Sequence, residues 1–441
     1  MNIYALSSGR GPSGIAIIRL SGPEAVEIGK KITKKKELNS DRLNLCKFFD
    51  PKNNKIIDEG ILLCFIKPNS FTGDNLLEFH IHGSNAVITY FLKVLSEEKN
   101  CRLAEPGEFT KNAFHNNKID LLEAESIGDL IHAETELQRS QAVSIVQGTA
   151  SKYYEGLREK LINSLAYVEA KIDFAEDDLP DSVLEDVKKS VLGIHSNITK
   201  ILEDNKIGEK IRNGFRVSII GEVNAGKSSL LNLLSKREVA IVSEEEGTTR
   251  DIIEVFLNID GFPVILADTA GIREVKNEVE KKGISLALEK SKKADLNIIM
   301  FDNSSKSINN KIRGLINKDS IVLLNKSDVK NNENHKFDAD TILVSVKDNI
   351  NIDIFIKKLK EKLSKKFISN NTALISRERH RVKLNECLKE IDKFLIKDQN
   401  KDIELAAEDL RMAVRHLGSI VGKVDVEEVL GSIFKDFCIG K

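Results

Sequence analysis

The residues best placed for chemistry are Gly221-Glu222-Val223-Asn224-Ala225-Gly226-Lys227-Ser228, which follow the pattern G-x-x-x-x-G-K-[ST]. Glycines at these positions let the backbone curl so that N–H groups and a helix N-terminus point at phosphate oxygens. Lys227 then reaches the terminal phosphates, and the Ser228 hydroxyl is a Mg²⁺ ligand. The flanks fit that purpose: Val217 to Ile220 is an apolar run that predicts a strand, and Ser229 to Leu234 predicts the first turns of a helix. Asn224, Ala225, Gly226, Lys227, Ser228 and Ser229 are therefore expected to hold the phosphates of a nucleotide. A second apolar run, Val264 to Ala267, ends in Asp268 and continues as Thr269-Ala270-Gly271. It predicts a buried strand delivering a carboxylate toward Mg²⁺, then a glycine whose N–H meets the γ-phosphate.

The base is indicated downstream, where Asn325-Lys326-Ser327-Asp328 follows the strand-like Ser320 to Leu324. This resembles the N-K-x-D loop with which Ras-like GTPases read guanine. A carboxylate at Asp328 accepts from both the N1–H and the 2-amino group, a donor pair that adenine lacks. Ser345-Val346-Lys347 stands where the last guanine-contacting loop belongs, and Gly247-Thr248-Thr249-Arg250-Asp251 supplies the threonine of a switch loop. One residue departs from the Ras-like pattern. The position after Gly271, where a glutamine orients the attacking water, is Ile272, which cannot do so. Another polar group must place the water, and a cation must offset charge building between the β- and γ-phosphates.

At this point the sequence resembles the MnmE (TrmE) family of tRNA-modifying GTPases. It matches the family's loop G-x-x-N-A-G-K-S-S-L-L-N, its G-T-T-R-D switch and its C-x-G-K tail, here Cys438-Ile439-Gly440-Lys441. The resemblance implies that K⁺ takes the arginine-finger role, held by Asn224, Ser243, Glu245 and Thr248 within the Ser243-Glu244-Glu245-Glu246-Gly247-Thr248 loop. It implies Mg²⁺ on Ser228 and Thr249, and a catalytic set of Lys227, Thr249 and Glu280, the last orienting water. The run Glu244 to Glu246 is more acidic than is usual in the family; main-chain carbonyl contacts to K⁺ would tolerate that change, whereas side-chain contacts would alter the affinity.

Hydropathy patterning suggests how these motifs are carried. From Ile119 to about Lys210 the period is helical, with Leu157, Leu161, Leu165, Val168 and Ile172 on one face; Leu410, Ala413, Val414, Leu417 and Val421 form a second stripe. Two stripes flanking an α/β unit are most economically buried on each other. The expected fold is multidomain, α/β plus α. It comprises an N-terminal α+β folate-binding-like domain (1–118), a discontinuous helical bundle (119–213 and 367–441) and an inserted Ras-like phosphate-loop domain (214–366). In the first of these, Gly14 to Leu20 and Leu76 to Gly83 predict strands, with His80 and His82 sharing a face. Structural or surface roles outweigh metal binding for these two, since no third ligand is evident.

By resemblance, the N-terminal domain dimerises the protein, and Arg19, Glu78, Lys118 and Lys441 contact a 5-formyl- or methylene-tetrahydrofolate. Cys438 would lie near that chemistry. The family's partner is the flavoprotein MnmG, in a heterotetramer, with tRNA held largely by that partner.

Composition limits the remaining possibilities. The 441 residues carry 67 basic and 68 acidic side chains, so no global field draws in nucleic acid. Five scattered cysteines form no C-x-x-C pair and suggest reduced thiols. No membrane span or signal peptide is expected, and the expected location is cytoplasmic. The reading is a K⁺-activated GTP hydrolase that, with the flavoprotein, adds a carboxymethylaminomethyl or aminomethyl group at C5 of the wobble uridine. A ribosome-assembly GTPase of the Era or Der kind is the alternative, although it would carry a basic G-x-x-G module after the nucleotide domain. A folate enzyme with a regulatory nucleotide domain would instead hold all its catalysis within this chain.

Overall fold

The computed structural model describes residues 1–9, 11–40, 42–173, 182–222, 224–236, 240–241, 254–268, 291–305, 308–329, 337, 339–367, 374–398, 401–424, 430–431, 433–434 and 437–441. They form two compact units. One comprises Met1–Gly128, Ile145–Val187 and Glu390–Lys441; the other comprises Asp129–Ser144 and Lys188–Lys389.

The first unit is built on a six-stranded sheet. Its strands are β1 (Asn2–Leu6), β2 (Ser13–Ser21), β3 (Asn44–Phe49), β4 (Ile56–Phe65), β5 (Leu76–Gly83) and β6 (Cys101–Leu103), in the order β3-β4-β5-β2-β1-β6. Strict alternation decides the faces. In β5, Leu77, Phe79 and Ile81 are buried, whereas Glu78, His80 and His82 point to the opposite side. The buried face packs on helices Ala25–Thr33 and Asn85–Ser96, where Phe48, Phe79 and Phe91 form an aromatic cluster with ring centroids 4.9–5.6 Å apart.

In the same unit, helices Thr149–Asp173 and Ile403–Val421 lie side by side. They run antiparallel, since Glu155 pairs with Lys423 while Glu169 pairs with Arg411. Leu157, Leu161 and Val168 on one helix, and Leu410, Ala413, Leu417 and Val421 on the other, are buried. The two amphipathic stripes thus shield each other from water.

The second unit is built on a seven-stranded sheet of β7 (Phe215–Gly221), β8 (Ala240–Ile241), β9 (Glu254–Ile259), β10 (Phe262–Asp268), β11 (Leu296–Asp302), β12 (Ile321–Asn325) and β13 (Asp340–Leu343). The order is β13-β12-β11-β7-β10-β9-β8, with β13, β12, β11, β7 and β10 parallel. Parallel strands covered on both faces need continuous apolar runs. Accordingly Leu296 to Phe301 and Ile321 to Asn325 are buried throughout. β10 and β11, successive strands of this sheet, lie on opposite sides of β7, so a crevice opens beyond the carboxyl end of β7, where an α/β sheet binds ligands.

Segment Asp129–Ser144 belongs to this second unit through specific bonds. Oδ1 of Asp129 accepts from Arg212 Nε at 2.8 Å and Arg377 Nη2 at 2.7 Å, while Leu137 N donates to Gly261 O in the β9–β10 turn. Deeper in the unit, Arg381 donates to both oxygens of Glu209, to Asp204 and to the Leu202 carbonyl. Among the described residues no helix is long and apolar enough to cross a membrane.

Candidate nucleotide site and a second polar cluster

The loop after β7 has the backbone its sequence demands. Asn224 and Gly226 both adopt positive φ, 63° and 98°. A Cβ on Gly226 would lie 2.2 Å from Nδ2 of Asn325, so the position accepts only glycine. Gly221 is constrained in the same way, because a Cβ there would meet the Met300 carbonyl at 2.3 Å. Helix Lys227–Lys236 leaves the loop, anchored by buried Leu230, Leu231 and Leu234. Its first turn presents exposed Ser228 and Ser229. Lys227 folds back over the loop, its Nζ donating to the carbonyls of Gly221 at 2.9 Å and Glu222 at 2.7 Å. The ammonium is thereby held over the crevice that the loop amides border.

The second loop is tied to the first by Asn325. This residue is buried; its Nδ2 donates to the Ala225 carbonyl at 2.8 Å and its Oδ1 accepts from Val346 N at 3.0 Å. A single amide thus joins the phosphate loop, the N-K-S-D loop and the Ser345-Val346-Lys347 loop. Lys326 has a positive φ of 66° and donates through Nζ to Asp302 at 2.5 Å. Burial alone would raise the Asp302 carboxyl, but Lys326 and Ser304 donate to it and bring it below the usual range. Ser327 N donates to the Val344 carbonyl, which locks the loop onto the strand end.

Asp328 is exposed and aimed by Ser345, whose hydroxyl donates to Oδ1 at 2.7 Å. That hydrogen bond is the leading reason the Asp328 carboxyl sits below its ordinary value, helped by the charges of Lys347 and Lys326. An ionised, oriented acceptor at this position suits two adjacent donors on a base edge. Lys347 is exposed beside it.

Asp268 closes β10, where its backbone pairs with Ile219 of β7, so the strand ends at the same edge of the sheet. Ser243, Glu244, Glu245, Glu246, Gly247, Thr248, Thr249, Thr269, Ala270, Gly271 and Glu280 lie outside the described residues. Two contributors were not identified from sequence, the Asp302 partner of Lys326 and the Met300 wall behind Gly221. A polar residue ending the apolar run Ile298 to Phe301 was the available signal for Asp302.

The first unit carries a separate polar cluster on the open face of its sheet. Arg19 and Glu78 are direct cross-strand neighbours, and Arg19 Nε donates to Glu78 Oε1 at 2.8 Å. The guanidinium lies 5.9 Å from the centre of the Phe71 ring. His80 Nε2 is 3.7 Å from the other Glu78 oxygen and is buried with no hydrogen-bond partner. His82 instead pairs with Asp58 at 2.8 Å, so the two histidines of this face have different neighbours. Lys118 donates to the Pro68 carbonyl, at the start of the loop that carries Phe71.

The chain's last residues join this cluster. Ile439 bridges to Pro106, Ser7 Oγ donates to the Gly440 carbonyl at 2.8 Å and Phe109 N donates to the Lys441 carbonyl. Burial depresses the Lys441 amine, and the nearby Arg19 charge adds to that, against opposing contributions from Cys438 and Glu78. Arg19, Glu78 and Lys441 are therefore within electrostatic reach of one another. Cys438 is exposed, and all five cysteines are free thiols.

The phosphate loop, the carboxyl-edge crevice and the oriented Asp328 of an N-K-x-D pattern place the second unit in the class of phosphate-loop nucleotide-binding proteins. Comparison with known sequences is more specific. Residues 2–118 match the family model described as GTP-binding protein TrmE N-terminus, and residues 121–438 match that of the MnmE helical domain. The tRNA modification GTPase MnmE of Pelagibacter ubique is 53% identical over 447 residues, covering 100% of both chains. Its counterparts in Rickettsia bellii and Parvibaculum lavamentivorans are 43% and 42% identical, each covering 100% of this chain and 99% of the relative. The chain belongs to the MnmE (TrmE) family of tRNA modification GTPases. Because the likeness extends well beyond the nucleotide unit, it decides against the Era or Der alternative, which shares only the nucleotide motifs.

Proposed function

We propose that this chain hydrolyses GTP to GDP and phosphate as its part in modifying tRNA. The observation that carries the reading is the convergence of Lys227 and Asp328 on one sheet edge, through loops joined by Asn325. Lys227 would bind the terminal phosphates, and Asp328 would select guanine. Thr249 and Glu280 complete the proposed catalytic set, with Glu280 orienting water because Ile272 cannot.

The donor chemistry fits two cations. Ser228 lies in the first helical turn, and Asn224 is exposed on the loop in a left-handed conformation that turns it out of the helix path. Ser228 and Thr249 would hold Mg²⁺; Asn224, Ser243, Glu245 and Thr248 would hold K⁺. Bound there, the cations supply positive charge against the charge that builds between the β- and γ-phosphates.

The second cluster suits a folate. A guanidinium–carboxylate pair, an aromatic ring, the unpartnered buried Nε2 of His80 and the Lys441 amine together match a ligand with a heteroaromatic head and acidic tail. Arg19, Glu78, Lys118 and Lys441 are the proposed contacts of a 5-formyl- or methylene-tetrahydrofolate. The proposed assembly is a homodimer joined by the flavoprotein MnmG, acting on the wobble uridine in the cytoplasm.

The test is GTP turnover in KCl against NaCl at equal ionic strength. Turnover should be faster in K⁺, and Asn224→Ala should erase the difference while GTP still binds. Equal rates in the two salts would remove K⁺ from the mechanism.

A further inference from the structure

At the end of the seven-stranded sheet opposite the nucleotide site, a cleft is lined by Lys318, Lys358, Lys362, Lys365 and Lys366, with Asp319, Asp340, Glu361 and the buried Leu296 between them. Leu296 opens β11, Asp319 precedes β12 and Asp340 opens β13, so the cleft lies at the amino ends of these parallel strands. Asn325 closes β12 at the other end. A ligand in the cleft would leave the phosphate loop unobstructed.

The cleft is organised rather than a random spread of surface charge. Lys362, only 14% exposed, forms its floor: its Nζ donates to Lys318 O at 2.7 Å, Ser320 O at 3.1 Å and Asp340 Oδ2 at 3.1 Å. Lys366 is positioned by Asp319 at 2.8 Å and by the Asp295 carbonyl. Lys358 is positioned by Asp340 at 3.3 Å. Lys318 and Lys365 are exposed at the rim. Five lysines against three carboxylates leave an excess of two positive charges in a chain whose net charge is −1.

We propose that this lysine cleft is a docking surface for the phosphate backbone of tRNA. The inference rests on the tRNA-modification reading above and adds to it a contact made by this chain itself. The composition of the cleft favours nucleic acid over a protein partner. Protein interfaces are depleted in lysine and anchored by aromatic residues, methionine or arginine, none of which lines the cleft. Compact ammonium groups on flexible stems suit phosphates contacted without regard to base sequence.

The experiment compares the full-length protein with the double variant Lys318→Glu/Lys365→Glu, measuring tRNA affinity across a KCl series and, with the flavoprotein, KM for tRNA in wobble modification. The variant should bind tRNA at least tenfold more weakly at low salt, with a shallower dependence of log affinity on log salt, by roughly 1 to 2. GTP turnover and melting temperature should be unchanged, and Lys318→Arg/Lys365→Arg should retain affinity. If the variant keeps wild-type affinity, salt slope and KM, the cleft assignment is overturned while the tRNA reading stands. If the variant loses the flavoprotein but keeps tRNA, the cleft is a protein-docking face and the proposal is equally overturned. If wild-type protein supports no modification at all, it is the tRNA reading that fails.

Discussion

The Ser345 hydroxyl donates to Oδ1 of Asp328 at 2.7 Å, although the two residues belong to different loops. If Asp328 selects guanine as proposed, base selection depends on a residue that need not touch the base. Ser345→Ala should weaken guanine-nucleotide binding by about tenfold, the worth of one hydrogen bond to a charged group, with little change in turnover at saturation. The same bond sets a pH response. Because the Asp328 carboxyl is held below its ordinary value, the acceptor persists as pH falls and disappears only when pH passes through that lowered value. Affinity should stay flat from about pH 8 to about pH 5 in the wild type, and the acid limb should begin at higher pH in Ser345→Ala. Identical acid limbs in titrations of nucleotide binding would contradict this account.

Asn325 offers a second test, since its amide satisfies Ala225 O and Val346 N in a buried position. Asn325→Ala leaves both backbone groups without a partner and should destabilise the second unit by about 2–4 kcal/mol, as well as weakening nucleotide binding. Gly226→Ala should be as damaging, because its Cβ would drive Asn325 away. Denaturant unfolding with and without GDP measures both effects.

Arg381 is the centre of a buried charge cluster with Glu209 and Asp204. Arg381→Ala strands two carboxylates in a low-dielectric setting and should cost about 3–5 kcal/mol. Arg381→Ala combined with Glu209→Leu should recover part of the loss, because one stranded charge is then gone. A single variant with wild-type stability would show that water relieves the cluster.

At the chain's end, Gly440 has φ 101°, and a Cβ there would lie 2.2 Å from the Leu6 carbonyl. Gly440→Ala should displace Lys441 from Arg19 and Glu78. GTP turnover should be unchanged, while binding of 5-formyl-tetrahydrofolate should weaken by at least tenfold in a calorimetric titration. Unaltered folate binding would remove the tail from that site.

How legible these features were depended on how local their physics is. The phosphate loop could be read directly, because its glycines answer to sterics within a few residues. The stripes around Leu161 and Leu417 were legible as amphipathic helices because period 3.6 survives in the sequence. The strand bearing Glu78 and His80 was legible from alternation. Asn325 could be assigned to a base loop but not as the link to Ala225, 100 residues away, because no local pattern encodes that pairing. The same holds for Asp129, whose joining of Arg212 to Arg377 spans segments far apart in the chain. Nothing local in the sequence marks Lys362 among the chain's lysines, and only the approach of Asp340 and the Lys318 and Ser320 carbonyls distinguishes it.

The central claim is that guanine-nucleotide hydrolysis at this site supports tRNA modification, and altered base specificity tests it most directly. Asp328→Asn replaces an acceptor with a group that suits xanthine rather than guanine. Mass spectrometry of the wobble uridine, after incubation of this variant with the flavoprotein, tRNA and folate, should show modification with XTP and little with GTP, the reverse of wild type. Full modification by the variant with GTP, or with no nucleotide at all, would contradict the account.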